Sequence, residues 1–167
     1  YDRPNPTKLL MRFSMRFNLT FRYGVIVHRE MRQQYGDSVR ASVIYVSADR
    51  ISPGVVRSKS NARVVLDGNS QITQHLQPVQ QALSNPVVTA FLSENIELDL
   101  WRKYLFLCSF SAMNTLTEKP LENLLNDPYV KELWIGYMKE ITSIAQSENV
   151  QLTEKDVEAA MSNAEKF

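Results

Sequence analysis

One lysine in this chain has a position that suits proton transfer. Lys103 stands at the head of an otherwise apolar stretch that runs to Phe110. In a helix it shares one face with Leu107 and Ser111, one and two turns further on. A lysine on a partly buried helix has its ammonium desolvated, which suits it to donating a proton. The alternative is that its stem follows apolar surface while the ammonium stays in water. Spacing alone favours that second interpretation.

Other residue patterns argue against several kinds of site. The five glycines are too widely spaced for a G-x-G-x-x-G turn or a P-loop, so no loop of this chain can cradle a pyrophosphate with backbone amides. A serine–histidine–aspartate site is not excluded by residue order, but no nucleophile elbow is present. His28 and His75 lack a partner at a metal-ligating spacing, and Cys108, the single cysteine, cannot form an internal disulfide. The sequence therefore predicts no metal site and a reducing, cytoplasmic setting.

Composition and charge narrow the classes of partner. Hydrophobic residues make up 44% and charged residues 22%, as in ordinary globular proteins. No apolar run approaches the roughly 20 residues of a membrane helix, and the first six residues lack the apolar core of a secretory signal. Up to residue 65 there are 12 Lys and Arg against 4 Asp and Glu, and beyond it 7 against 14. The arginines are spread singly, which favours a solvated strand face over nucleic-acid contact. We expect neither a nucleic-acid nor a membrane partner.

The first half of the chain has the patterns of strands. Residues 11–22 alternate strictly between apolar and polar side chains, which is typical of a strand with one buried face. A short helix is predicted over 28–35. Three further strands are then predicted around the turn signal at Pro53 and Gly54, and together they suggest a small antiparallel meander. They cover residues 39–48, 55–58 and 62–66.

The second half of the chain has the spacing of helices. Residues 71–83 are spaced for a helix although Pro78 conflicts with an unbroken one, and 87–91 reads as a short strand. A long helix over about 94–115 has few polar positions, so it should lie centrally. Asp127 is placed to cap a helix that begins at Pro128, and Thr153 to cap the last one. The predicted fold class is α+β, with a small, mostly antiparallel strand segment in residues 1–92 and an all-helical domain in 93–167.

Two motifs in register resemble the ketopantoate (2-dehydropantoate) reductase family. The first is Tyr45-Val46-Ser47-Ala48 followed by Pro53-Gly54-Val55-Val56-Arg57, and the second is Leu100-Trp101-Arg102-Lys103 followed by Leu116-Thr117 and Asp127-Pro128. By this resemblance, residues 1–92 are the strand-rich end of the nucleotide-binding domain, a remnant of it, and 93–167 are an incomplete helical substrate domain. Residues 10–30 fit the family poorly, with Tyr23 where it has an asparagine, which suggests a shifted reading frame or a local sequence error.

The resemblance implies a reduction. Family members transfer hydride from NADPH to the ketone of a 2-oxo acid such as ketopantoate. Their catalytic lysine falls on Lys103, which would hold the substrate carbonyl and donate the proton. Their two following asparagines fall on Leu107 and on Ser111, which is the candidate substrate-binding residue. No cofactor-binding residue is assigned, because the family's glycine fingerprint is absent, and the family's later serine and glutamate are not in this chain.

The chain alone is therefore expected to be inactive. Where a missing domain would dock it should expose apolar surface, which leaves homodimerisation open. A second hypothesis is a non-catalytic helical module for binding or assembly. A third, a basic strand-rich segment that binds nucleic acid, is the weakest, because its phenylalanines alternate with the arginines onto the opposite side.

Overall fold

The computed structural model describes residues 18–20, 25–68, 73–119 and 121–165. It forms two compact units, one ending at Ile96 and the other beginning at Glu97. The described strands all lie in the first unit, and the regular structure described in the second is helical. The predicted α+β class, a strand segment followed by a helical domain, is therefore confirmed.

The first unit alternates between strands and helices. Its elements are β1 (Asn18–Thr20), α1 (Val27–Tyr35), β2 (Val39–Tyr45), β3 (Ala48–Ser52), β4 (Val55–Ser58), β5 (Ala62–Asp67), α2 (Thr73–Leu83) and β6 (Val88–Ser93). The helix predicted over 28–35 and the strands predicted after it are present within a few residues. The strand predicted over 11–22 coincides with β1 at 18–20 and otherwise lies outside the described residues. Helix α2 runs through Pro78, so the proline does not end it.

The strand pairing differs from the predicted meander. The main sheet has the order β1-β2-β5-β6, and β3 and β4 form a separate hairpin. β2 and β5 are antiparallel, with Val43 opposite Val65, but β1–β2 and β5–β6 are parallel pairs. The two parallel pairs follow from the helices that connect their strands. α1 follows β1 and α2 follows β5, and a helical crossover returns the chain so that the next strand runs in the same direction. Within the predicted meander the pairs are antiparallel as expected, but its order was wrong, because β2 pairs with β5 and the strands between them form their own hairpin.

The core of the first unit lies between the sheet and α2. Val64, Leu66 and Ala90 are buried there against partly buried side chains, which include Val79 and Leu83 of α2. These apolar positions recur with period two in the strands and about 3.6 in the helix, so one face of each element meets the other. Burying an aliphatic side chain of this size contributes about 1.5–3 kcal/mol relative to leaving it exposed.

The second unit is built from helices whose ends are fixed by local hydrogen bonds. They are α3 (Ile96–Thr117), α4 (Leu121–Leu125), α5 (Pro128–Ser147) and α6 (Glu154–Ala164). The Asp127 side chain accepts the backbone N–H groups of Tyr129 and Val130, at 3.1 and 3.3 Å, which confirms the predicted cap. At the start of α6 the Asp156 carboxylate accepts the backbone N–H of Thr153 at 2.8 Å. None of the described helices is long and apolar enough to span a bilayer.

Candidate active site

Lys103 and Ser111 lie on one face of α3. Lys103 and Leu107 are half-buried, and Ser111 is exposed. Successive positions four residues apart are separated by about 6 Å along the axis and rotated by about 40°. The three side chains therefore form a slowly turning row about 12 Å long. By the same geometry this row lies roughly opposite the side of α3 that carries the buried Leu105 and Ser109.

Burial changes the acidity of Lys103. Partial removal of its ammonium from water lowers the pKa of Lys103 below the ordinary lysine value. Desolvation disfavours the charged form, so the group gives up its proton more readily than an exposed lysine does. This is the electrostatic state that a proton donor to a developing alkoxide needs.

The residue before Lys103 anchors the start of α3. Arg102 Nε donates to Asp156 Oδ1 at 2.7 Å, and its Nη1 lies 3.4 Å from Asp99 Oδ1. Burial opposes the charge on both Arg102 and Asp156, but it is outweighed by their mutual hydrogen bond and attraction, together with the hydrogen bonds of Thr153 to Asp156 and the nearby Asp99 for Arg102. The pKa of Arg102 is therefore raised and the pKa of Asp156 lowered. This ion pair joins the second turn of α3 to the first turn of α6, and so holds the segment that carries Lys103.

The rotation of α3 about its own axis is fixed by a buried serine. Trp134 Nε1 of α5 donates to Ser109 Oγ at 2.8 Å, and Ser109 Oγ donates to the carbonyl of Leu105 at 2.6 Å. Both Ser109 and Trp134 are fully buried. The rings of Phe106 and Phe110 lie 6.2 and 6.1 Å from the Trp134 ring, between centroids. Because these contacts involve one side of α3, they determine which way the row of Lys103 and Ser111 faces.

A thiol and two phenols also lie together between α3 and α5. Cys108 Sγ lies 3.8 Å from Tyr137 Oη. Its hydrogen bond to Tyr104, with burial, raises the pKa of Tyr104 to about 12. The hydrogen bond of Cys108 also raises the pKa of Tyr137. Both phenols are therefore protonated at neutral pH, so neither acts as a general base.

A shallow groove of about 530 Å³ lies elsewhere on this unit, between the end of α3 and α5. Its lining includes Met113, Leu116 and Leu133, with Glu132 and Glu140 as charged groups. Lys103 and Ser111 do not line it. The groove and the row on α3 are thus separate features of the surface.

Metal ligands are not grouped in the described residues. Among them, no cluster of three or more His, Cys, Asp or Glu side chains is placed to hold an ion. His28 lies in α1, in the first unit, and Cys108 in α3, in the second. The side chain of His75 lies outside the described residues.

Sequence reasoning missed two of these contacts. The Arg102–Asp156 pair joins residues 54 positions apart, which no local pattern reveals. Ser109 carried a weak signal, since it is a polar residue within an apolar helical stretch, and such residues when buried need a hydrogen-bond partner. Lys103 and Ser111 are brought to one helix face, as their spacing predicted.

Comparison with known proteins shows which family the helical part of the chain resembles. Residues 95–166 match the family model described as Ketopantoate reductase PanE/ApbA C terminal. The helical part of the chain is thus similar to the C-terminal domain of ketopantoate reductases. The resemblance suggested by the two motifs is thereby confirmed. Among curated proteins, the chain is 27% identical over 93 residues to an uncharacterized oxidoreductase, YkpB, of Bacillus subtilis strain 168. That match covers 56% of this chain and 31% of the relative.

Solved structures of ketopantoate reductases share the fold beyond the helical unit. The structure of a PanE/ApbA family ketopantoate reductase from Ralstonia eutropha JMP134 superposes with a TM-score of 0.73 at 25% identity, over 89% of this chain and 49% of that one. D-mandelate dehydrogenase, in complex with NADH, superposes with a TM-score of 0.70 at 17% identity, over 92% of this chain and 54% of its own. The chain thus spans about half the length of the solved structures it matches.

Proposed function

We propose that the protein reduces the ketone of a 2-oxo acid, of the ketopantoate type, to the corresponding 2-hydroxy acid with NADPH, and that this chain supplies the proton donor. The observation that carries the proposal is Lys103. It is half-buried on α3, and burial lowers its pKa. The helical unit that holds it matches the model of the C-terminal domain of ketopantoate reductases. The family supports the reaction class, and the lysine has the chemistry that the reaction requires.

Lys103 would act on the oxygen of the substrate ketone. Its ammonium hydrogen-bonds the carbonyl oxygen and orients it. As negative charge develops on that oxygen, the nearby cation stabilises it and then transfers one proton from Nζ. The product is a neutral hydroxyl, and the lysine is left as a neutral amine that regains a proton from water. Ser111, exposed two turns further along α3, would hydrogen-bond a more distant polar group of the substrate.

The nicotinamide cofactor would supply the hydride, and its phosphates are assigned to no residue of this chain. Gly36 and Gly54 have positive φ angles of 62° and 79°. However, Gly36 opens a short turn before β2 and Gly54 lies between β3 and β4, so neither stands between a strand and the start of a helix, where a pyrophosphate cradle forms. We assign residues 1–92 to the end of a nucleotide-binding domain. The NADH in the D-mandelate dehydrogenase structure supports a nicotinamide cofactor, and the choice of NADPH follows the family resemblance.

The test is turnover by the full-length protein, as its gene encodes it. Oxidation of NADPH is followed by absorbance with a panel of 2-oxo acids, first for the natural protein and then for Lys103→Ala. Losing a positioned proton donor should lower kcat by about 10²–10⁴-fold. Lys139→Ala is the matched control, because Lys139 is exposed on α5 in an ion pair with Glu154, and its turnover should be unchanged. Full turnover by Lys103→Ala would overturn the assignment.

A non-catalytic binding module is the second candidate, and one observation favours it. Around the groove on α3 and α5, Tyr129 is 85% exposed, Leu116 66% and Leu133 51%. Clustered apolar surface of this kind often marks a contact with another protein, including a second copy of the same chain. Two results together would make this candidate replace the reductase. The full-length protein would fail to oxidise NADPH with any 2-oxo acid of the panel, and Leu133→Asp would abolish its self-association.

A further inference from the structure

One edge of the sheet in the first unit is formed by β6. Among the described strands β6 pairs only with β5, so its other edge is not covered by a strand. Backbone amides at the start of β5 and just past its end donate to the carbonyls of Val87 and Ser93, at 2.9 Å each. Because backbone groups alternate in direction along a strand, the residues between these two whose groups point to the other edge are Val88, Ala90 and Leu92.

The sequence of β6 is suited to pairing with a further strand. It contains no charged residue, no proline and no glycine, and it includes β-branched and aromatic side chains. Short segments of this composition pair readily with other chains when their edge is open. Phe91 is 45% exposed, and Val87, just before the strand, is 62% exposed, so apolar side chains lie along this edge. A strand of this kind stays single only where something covers its edge.

Two polar side chains of the segment before β6 cover the edge at Ala90. Gln80 Nε2 donates to the Ala90 carbonyl at 3.0 Å, and the Ala90 amide donates to Ser84 Oγ at 3.3 Å. Ser84 Oγ in turn donates its own proton to the Gln80 carbonyl at 2.8 Å, which leaves its lone pairs to accept from Ala90. Side chains therefore satisfy both outward backbone groups of this buried residue, in the place of a neighbouring strand.

The turn between α2 and β6 covers the edge at the preceding outward residue. Asn85 N donates to the Val88 carbonyl at 2.8 Å, and Val88 N donates back to the Asn85 carbonyl at 3.2 Å. The Asn85 side chain also accepts from Val88 N, at 3.0 Å. The outward backbone groups of both Val88 and Ala90 are thus already bonded. A strand that added to this edge would first have to break these bonds.

We infer that Gln80 and Ser84 hold the β6 edge closed against a second copy of this chain. If the edge were open, it would pair antiparallel with β6 of that copy, because an uncharged strand placed opposite itself meets no like charge. A pair of this kind is two-fold symmetric and is complete with two copies. The two side chains therefore prevent self-association through the sheet, a role separate from the proposed reaction.

The double variant Gln80→Ala/Ser84→Ala of the full-length protein tests this inference. Its mass by light scattering should be about twofold that of the natural protein at the same concentration, since one further copy pairs at the opened edge. Gln77→Ala/Gln81→Ala is the matched control, because both of these glutamines are exposed on α2, and its mass should equal that of the natural protein. A folded Gln80→Ala/Ser84→Ala protein with the natural mass would overturn the inference.

A charge on β6 distinguishes pairing at this edge from association elsewhere. Thr89 is exposed, and Thr89→Lys added to the double variant brings two lysines together in the paired strands, so the natural mass should return. A mass that stays raised in the folded triple variant would show that the copies associate through another surface, which contradicts the inference.

Hydrogen exchange in the unmutated full-length protein tests the closed edge without any variant. The Ala90 amide should exchange at a rate within about tenfold of the Phe91 amide, which points toward β5, because both are hydrogen-bonded in the folded state. Ser84→Ala should then raise the exchange rate at Ala90 and leave the rate at Phe91 unchanged. Rapid exchange at Ala90 in the unmutated protein would show that the edge is open and would overturn the inference.

Discussion

Ser109→Ala should destabilise the helical unit far more than its small change in volume suggests. In the native structure Ser109 Oγ accepts the Trp134 Nε1 proton at 2.8 Å, and both residues are fully buried. Removing the hydroxyl leaves the buried indole N–H with no acceptor at that position. An unsatisfied buried donor costs about 1–3 kcal/mol. Alanine has a higher helix propensity than serine, which offsets at most about 0.5 kcal/mol. With the full offset, the expected net loss in the free energy of unfolding is therefore about 0.5–2.5 kcal/mol.

Urea unfolding followed by tryptophan fluorescence measures this loss directly. Both tryptophans of the chain, Trp101 and Trp134, lie in the helical unit, so the signal reports that unit and not the strands. Ser143→Ala is the control, because Ser143 is exposed on α5 and its hydroxyl donates to the Lys139 carbonyl, where water can replace it. This control should change the free energy of unfolding by less than about 0.5 kcal/mol.

A double-mutant cycle separates the hydrogen bond from packing. Trp134→Phe removes the N–H but keeps an aromatic ring, so Ser109→Ala should cost less in that background than in the natural protein. A coupling energy of at least about 1 kcal/mol is expected. If Ser109→Ala proves as mild as Ser143→Ala, or if the cycle shows no coupling, then the hydrogen bond does not fix α3 against α5 and the reasoning fails.

Two further predictions concern the ends of elements. The pKa of Asp156 is lowered in the fold, so its contribution to stability is complete above the ordinary value of about 3.9 and is lost as pH falls through the folded pKa. Asp156→Asn should remove that part of the acid dependence of urea unfolding, and an unaltered slope below about pH 4 would contradict it. A Cβ at Gly68 would lie 2.8 Å from Leu92 Cβ, so Gly68→Ala should destabilise by about 1–3 kcal/mol. Gly136→Ala, in open space within α5, should instead stabilise by up to about 1 kcal/mol. Thermal unfolding that ranks these two alanine variants the other way would refute the close-packing argument.

Most of the secondary structure was predictable from sequence because its signals are local, whereas β3 and the short helix α4 were not predicted. Asp127 followed by Pro128 marks the start of α5 through hydrogen bonds within three residues. Apolar spacing located α3 and the strands after residue 39 in the same way. The pairing of strands was not predictable by this reasoning. Whether β5 lies parallel to β6 depends on the path of the chain through α2, and that is a property of the connection and not of either strand.

The candidate site was predictable in part, for a related reason. Helical periodicity placed Lys103 and Ser111 on one face, and the motif around Trp101 suggested a role for the lysine that spacing alone did not favour. The contacts that hold α3 in place remained hidden. Arg102 contacts Asp156 and Ser109 contacts Trp134 across 54 and 25 residues of sequence. No sequence pattern around either residue of a pair identifies its partner.

The most direct test of the central claim, that Lys103 donates the proton, is the pH dependence of kcat/KM for the full-length protein and for Lys103→Ala. A donor must be protonated to act, so activity should fall as pH rises through the pKa of Lys103. Because burial lowers that pKa, the fall should come below the ordinary lysine value of about 10.4. It should be missing from the residual activity of Lys103→Ala. The same fall in both proteins would show that another group supplies the proton and would contradict the account.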